Sequence, residues 1–142
     1  NYVEKFSERF SVEIHGEGRA MQAATNPDGL TIINFGMGSP NAATIMDLLV
    51  AVNPKGVLFL GKCGGLKDSS EIGNFILPIG AIRGDGTSND YFPPEVTALP
   101  SFTLHTFVSD IILEKQSDYR TGVIFTTNRR GWEHYKKFLK RL

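Results

Sequence analysis

Gly56-Val57-Leu58-Phe59-Leu60-Gly61-Lys62-Cys63-Gly64-Gly65-Leu66 sets an apolar run directly against a glycine-rich turn that carries one lysine. The same arrangement occurs once earlier, where Leu30 to Phe35 (LTIINF) runs into Gly36-Met37-Gly38-Ser39-Pro40-Asn41. Strand-like runs that end in glycine turns are how α/β proteins build polar cradles at the carboxyl ends of their strands. Glycine lets the backbone approach a ligand and leaves N–H groups free to meet an anion. The pattern points to a site for a small molecule, phosphorylated or ribosylated.

Working outward, Ser39 is placed to cap a helix with Pro40 at its first position, and Ala42 to Val52 follows as the helix body. Asn53-Pro54-Lys55-Gly56 ends it, and Val57 to Leu60 is expected to be the next strand. Strand, helix and strand in that order predict a parallel pair joined by a right-handed crossover. Tyr2 to Phe10 has Val3, Phe6 and Phe10 spaced for one helical face, and Gly16 to Gly29 reads as a loop or hairpin region. Ile72 to Ile82, interrupted by Pro78 and Gly80, predicts one or two strands, and Arg83 to Pro94 a polar loop. Ser101 predicts a cap for a helix with Leu104, Phe107, Val108, Ile111 and Ile112 at helical spacing. Thr121 to Phe125 reads as a strand and Trp132 to Leu142 as a final helix.

At 142 residues the chain is expected to form a single domain with its own core. Fifteen Lys and Arg balance fifteen Asp and Glu, which argues against a nucleic-acid partner, since that would require a basic excess. No apolar run approaches the roughly 18 residues that span a membrane, so a membrane partner is not expected. Cys63 is the one cysteine, which suits a reducing, cytoplasmic setting and gives no cysteine-rich zinc site. His15, His105 and His134 lack metal-ligand spacing, and no cofactor is expected. The chain begins at Asn1 rather than Met and ends in the basic segment Lys136 to Leu142, so a piece of a longer protein is expected.

FGMGSPNA (Phe35 to Ala42), FLGKCGGL (Phe59 to Leu66), IGNFILP (Ile72 to Pro78), RGDGTSNDYFPPE (Arg83 to Glu95) and TTNRRGWEH (Thr126 to His134) occur in the order and register of one family. Together they resemble the nucleoside phosphorylase superfamily, and within it the AMP nucleosidase branch. The resemblance covers Leu30 to the C-terminus. It implies an α/β fold, a three-layer twisted mixed β-sheet flanked by helices, without the C-terminal part of the family fold. The reaction it implies is cleavage of a purine–ribose N-glycosidic bond: hydrolysis of AMP to adenine and ribose 5-phosphate. Purine nucleoside or uridine phosphorolysis is the alternative, and an inactive nucleotide-binding or assembly subunit a third reading. The implied assembly is a homo-oligomer, a hexamer built from dimers.

Residue by residue, Met37 falls where the family packs a methionine on the ribose; otherwise it is a core residue at a strand end. Lys62 stands where phosphorylases carry Ser or Thr for inorganic phosphate, and apolar Phe59 stands where the hexameric purine branch often has Arg. Both departures favour water as nucleophile. Lys62 either meets the phosphate of the nucleotide as a point charge or is a solvated turn lysine. Phosphate remains a candidate ligand or regulator. Cys63 fits a tight turn and has no histidine placed to activate it. Gly64 and Gly65 admit base or ribose against bare backbone, or serve turn geometry alone. Arg83 has two readings, a bidentate phosphate ligand or a surface pair with Asp85 or Asp90. Tyr91 lies in the same loop. Thr126, Thr127 and Asn128 fall where the family approaches the base, and Arg129 and Arg130 are placed to clamp a 5′-phosphate or to be solvated. The motif that grips the ribose hydroxyls, and the aspartate that protonates the leaving base, correspond to positions beyond Leu142. No catalytic residue is therefore assigned in this chain.

Overall fold

The computed structural model describes residues 1–129, 135, 137 and 140. The chain divides into two compact units, Asn1–Asn53 and Pro54–Leu142.

The first unit opens with helix α1, Tyr2–Phe10. The Asn1 side chain caps it by accepting from the Val3 and Glu4 amides. The expected apolar face is present: Val3 is buried, and the Phe6 and Phe10 rings stack obliquely at 4.7 Å. The Gly16 to Gly29 region is a hairpin approach. Strand β1 (Gln22–Thr25) pairs antiparallel with β2 (Thr31–Asn34), in register from Gln22 opposite Asn34 to Thr25 opposite Thr31. Buried Asn26 makes the turn, its backbone N–H donating to the Leu30 carbonyl at 2.9 Å while its Oδ1 accepts from the Leu30 amide at 2.8 Å. Helix α2 spans Ser39–Val50, slightly earlier than the spacing predicts. Gly38, not Ser39, is its N-cap, and no side chain caps it. Asn53, at φ 46°, ends the segment by donating to the Leu49 carbonyl at 3.1 Å.

The β-α-β unit expected around α2 would join β2 of the first unit to Val57 to Leu60 of the second. Within the first unit β2 pairs with β1, and among the described residues Val57 to Leu60 lies in no strand. A parallel crossover is present within the second unit. There β3 (Phe75–Ile76) runs parallel to β5 (Tyr119–Arg120), and β4 (Gly80–Gly84) runs parallel to β6 (Val123–Thr127). The two ladders continue each other across Pro78. The Leu77 amide donates to Arg120 O at 2.9 Å and the Ile79 amide to Gly122 O at 3.1 Å. Proline has no N–H, so the pairing skips that residue and resumes.

Helix α3 (Phe102–Glu114) connects the two sides. Ser101 caps it as expected, accepting from the Leu104 amide. Leu104, Val108 and Ile112 form its half-buried stripe. A hydrogen bond of 2.8 Å between Ser109 and Tyr119 ties the helix to β5. The strand expected over Thr121 to Phe125 is displaced two residues, so Thr126 and Thr127 are part of β6 rather than beyond it. The expected helix from Trp132 falls largely outside the described residues.

Candidate active site

In an open parallel sheet, ligands meet the loops at the carboxyl ends of the strands. In the second unit β4 and β6 end side by side, with Arg83 opposite Thr126 and Gly84 opposite Thr127. Arg83 therefore belongs to a strand and is not the first residue of a free loop. The chain leaves β4 at Gly84, passes through one 3₁₀ turn at Thr87–Asp90, and returns at Ala98. Ala98 pairs with Ala81 through two hydrogen bonds, 2.8 and 3.2 Å. The loop is thus anchored on the strand from which it starts.

The Arg83 side chain fills this loop. Nε donates to Ser88 Oγ at 2.9 Å. Nη1 donates to the carbonyls of Pro93 at 2.7 Å and Val96 at 2.9 Å. Nη2 donates to the carbonyls of Ser88 and Phe92 and to Asn89 Oδ1. A guanidinium has five N–H donors, and all of them are directed at loop acceptors. Neither sequence reading of Arg83 describes this. The partners are carbonyls, a hydroxyl and an amide, not Asp85 or Asp90, and the fork is not open to a phosphate. Ser88 and Asn89 carry no spacing signal that would have identified them as its partners.

Tyr91 follows the 3₁₀ turn, half exposed, its amide donating to the Ser88 carbonyl at 3.2 Å. Gly84 sits where no side chain fits: a Cβ there would lie 2.7 Å from the Thr126 carbonyl oxygen and closer still to the Phe125 ring. At the end of β6, Thr127 and the following Asn128 are exposed. Thr127 Oγ1 accepts from the Arg129 amide at 3.2 Å and donates to the Arg129 carbonyl at 3.1 Å, which turns the chain at the strand end. Arg83, Tyr91, Thr127 and Asn128 therefore belong to one strand-end region. Arg130 lies outside the described residues.

Lys62, Cys63, Gly64 and Gly65 form an exposed stretch without regular structure in the same unit. Lys62 has no hydrogen-bond or ion-pair partner among the described residues, which leaves its ammonium uncommitted. The Cys63 thiol is free and exposed. The two glycines differ. A Cβ at Gly64 would meet nothing within 4 Å, whereas one at Gly65 would stand 2.5 Å from Ser70 Cβ. Gly64 leaves room for a ligand, and Gly65 is fixed by packing. In the first unit, Met37 is 75% exposed between Gly36 (φ 83°) and Gly38 (φ 96°), with its carbonyl held by Asn41 Nδ2 at 3.1 Å. It is not a buried core residue of that unit.

A model of the phosphorylase superfamily matches residues 3–137. An AMP nucleosidase of Escherichia coli (strain K12) is 32% identical over 113 residues, which cover 74% of this chain and 23% of that protein. A guanosine phosphorylase of Halorubrum lacusprofundi is 29% identical over 108 residues, 76% of this chain and 45% of that protein. The crystal structure of an AMP nucleosidase from Bacteroides thetaiotaomicron superposes with a TM-score of 0.93 at 55% identity, covering 99% of this chain and 58% of its own.

Proposed function

Because the chain belongs to the phosphorylase superfamily, we propose that its activity is that of an AMP nucleosidase. The C1′–N9 bond of AMP breaks, water supplies the oxygen at C1′, and the products are adenine and ribose 5-phosphate. The observation that carries this reading is the 55% identity, over 99% of this chain, to a structure named an AMP nucleosidase. The chain spans 58% of that relative, so the activity belongs to the full-length gene product.

The geometry supports a division of labour. Lys62, exposed beside glycines and without a partner among the described residues, meets the 5′-phosphate as a point charge. Gly64 presents bare backbone beside it, and Gly65, packed on Ser70, is proposed as a contact through its backbone. Tyr91, Thr127 and Asn128, gathered at one strand-end region, are proposed for the base end, and Met37 is proposed as a ribose contact on the sequence resemblance alone. Arg130 remains a candidate second phosphate contact. The proposed setting is purine salvage in the cytoplasm by a homo-oligomer.

The test is adenine release from AMP by the full-length gene product, with and without inorganic phosphate. Release without phosphate supports the nucleosidase. Release only with phosphate moves the assignment to a phosphorylase, the second reading, favoured by the similarity to a guanosine phosphorylase. Binding of AMP without turnover would support an inactive binding subunit.

A further inference from the structure

The loop between β4 and α3 leaves the carboxyl end of β4 with almost no regular structure to hold it. One turn of 3₁₀ helix and one two-residue bridge are its only repeating hydrogen bonds. Phe92-Pro93-Pro94 cannot form a ladder, because the two prolines lack N–H groups. The Ser88 and Pro93 carbonyls accept from amides of the loop as well as from Arg83, whereas those of Phe92 and Val96 are met by Arg83. From the end of β4 it reaches six acceptors spread from Ser88 to Val96, four of them backbone carbonyls.

We propose that Arg83 is a positioning residue: its guanidinium sets the conformation of residues 85–97 at the carboxyl end of β4, and thereby shapes the base end of the site, without touching the substrate. A planar fork with five donors can address acceptors on several sides at once. A lysine ammonium offers three donors from a single point and cannot span them. The role is thus one of geometry rather than of charge. It differs from that of Lys62, whose charge is directed at the ligand. The inference rests on the AMP nucleosidase reading for its kinetic consequence, but not for the ordering of the loop.

The experiment uses the full-length protein with Arg83→Ala and Arg83→Lys. Chymotrypsin cleavage at the Tyr91–Phe92 bond reports loop order. The KM for AMP and the inhibition constant of adenosine report the site, with melting temperature as the control for folding. Both variants are expected to be cut faster in the loop. Both should lose affinity for AMP and adenosine by the same factor, roughly ten- to hundredfold, at melting temperatures near that of the parent. Should Arg83→Ala fail to fold, Arg83→Lys carries the same comparison. Unchanged cleavage, or a lysine variant that matches the parent, would overturn the proposal. So would a loss confined to AMP, which would make Arg83 a phosphate ligand. A parent protein that does not cleave AMP would sink the nucleosidase reading instead, and the cleavage rates alone would then decide the role of Arg83.

Discussion

Two residues of the second unit carry opposite lessons. Lys62 is exposed, as a charge among glycines predicts whether it meets solvent or ligand. The structure leaves its ammonium exposed and without a partner among the described residues. Lys62→Ala in the full-length protein is expected to weaken AMP binding roughly tenfold or more, the scale of a hydrogen bond to a charged group. Adenosine binding should hardly change. Titration calorimetry with both ligands checks this, and equal losses would remove the phosphate role. Gly84 could not be read in this way. Its constraint comes from Phe125 and Thr126, some forty positions on, and only the parallel register of β4 and β6 brings them together. Gly84→Ala should cost about 1–3 kcal/mol, as overpacking does, and appear as a lower denaturant midpoint with an unchanged slope. Arg83 was misplaced for a related reason. A polar side chain suggests a loop, but the β4 backbone keeps pairing through Arg83 and Gly84 regardless of what those side chains prefer.

At the level of elements, local chemistry was readable and pairing was not. Helix α3 starts where Ser101 predicts, and α1 shows the stripe that Val3, Phe6 and Phe10 predict. Capping and 3.6-residue periodicity are properties of neighbouring residues. The run Val57 to Leu60 reads as a strand on composition, yet it finds no ladder among the described residues. Strand β1, in a stretch rich in polar and turn residues, exists because Asn26 folds it back on β2. The hairpin gives a prediction of its own. Asn26→Ala removes the acceptor of the Leu30 amide inside a buried turn and should cost about 1–3 kcal/mol. Hydrogen exchange should accelerate at Leu30 and at the β1–β2 amides, and leave the β4–β6 ladder unaffected. Unaltered protection at Leu30 would mean that the backbone turn alone holds the hairpin.

For the molecule as a whole, the superfamily was legible because five short motifs stand in order, although none is decisive alone. What covers the apolar faces was not. The buried apolar side chains among the described residues are Val3, Ala24 and Leu77, while Leu48, Val50, Phe59, Leu60, Phe102 and Phe107 are exposed. So small an apolar core among the described residues offsets little of the entropy of ordering them. A polypeptide of these 142 residues is therefore expected to bind a hydrophobic dye and to melt without a cooperative transition, and a sharp melt would contradict this. The Ala81–Ala98 bridge has a different consequence. Because the loop leaves β4 at Gly84 and returns against Ala81 of the same strand, its contents form an exchangeable cassette. Replacing residues 85–97 with another sequence of similar reach, provided it offers carbonyls to the Arg83 fork, would leave the β4–β6 frame as it is. A change of ligand preference at this end of the site would then need no redesign of the sheet.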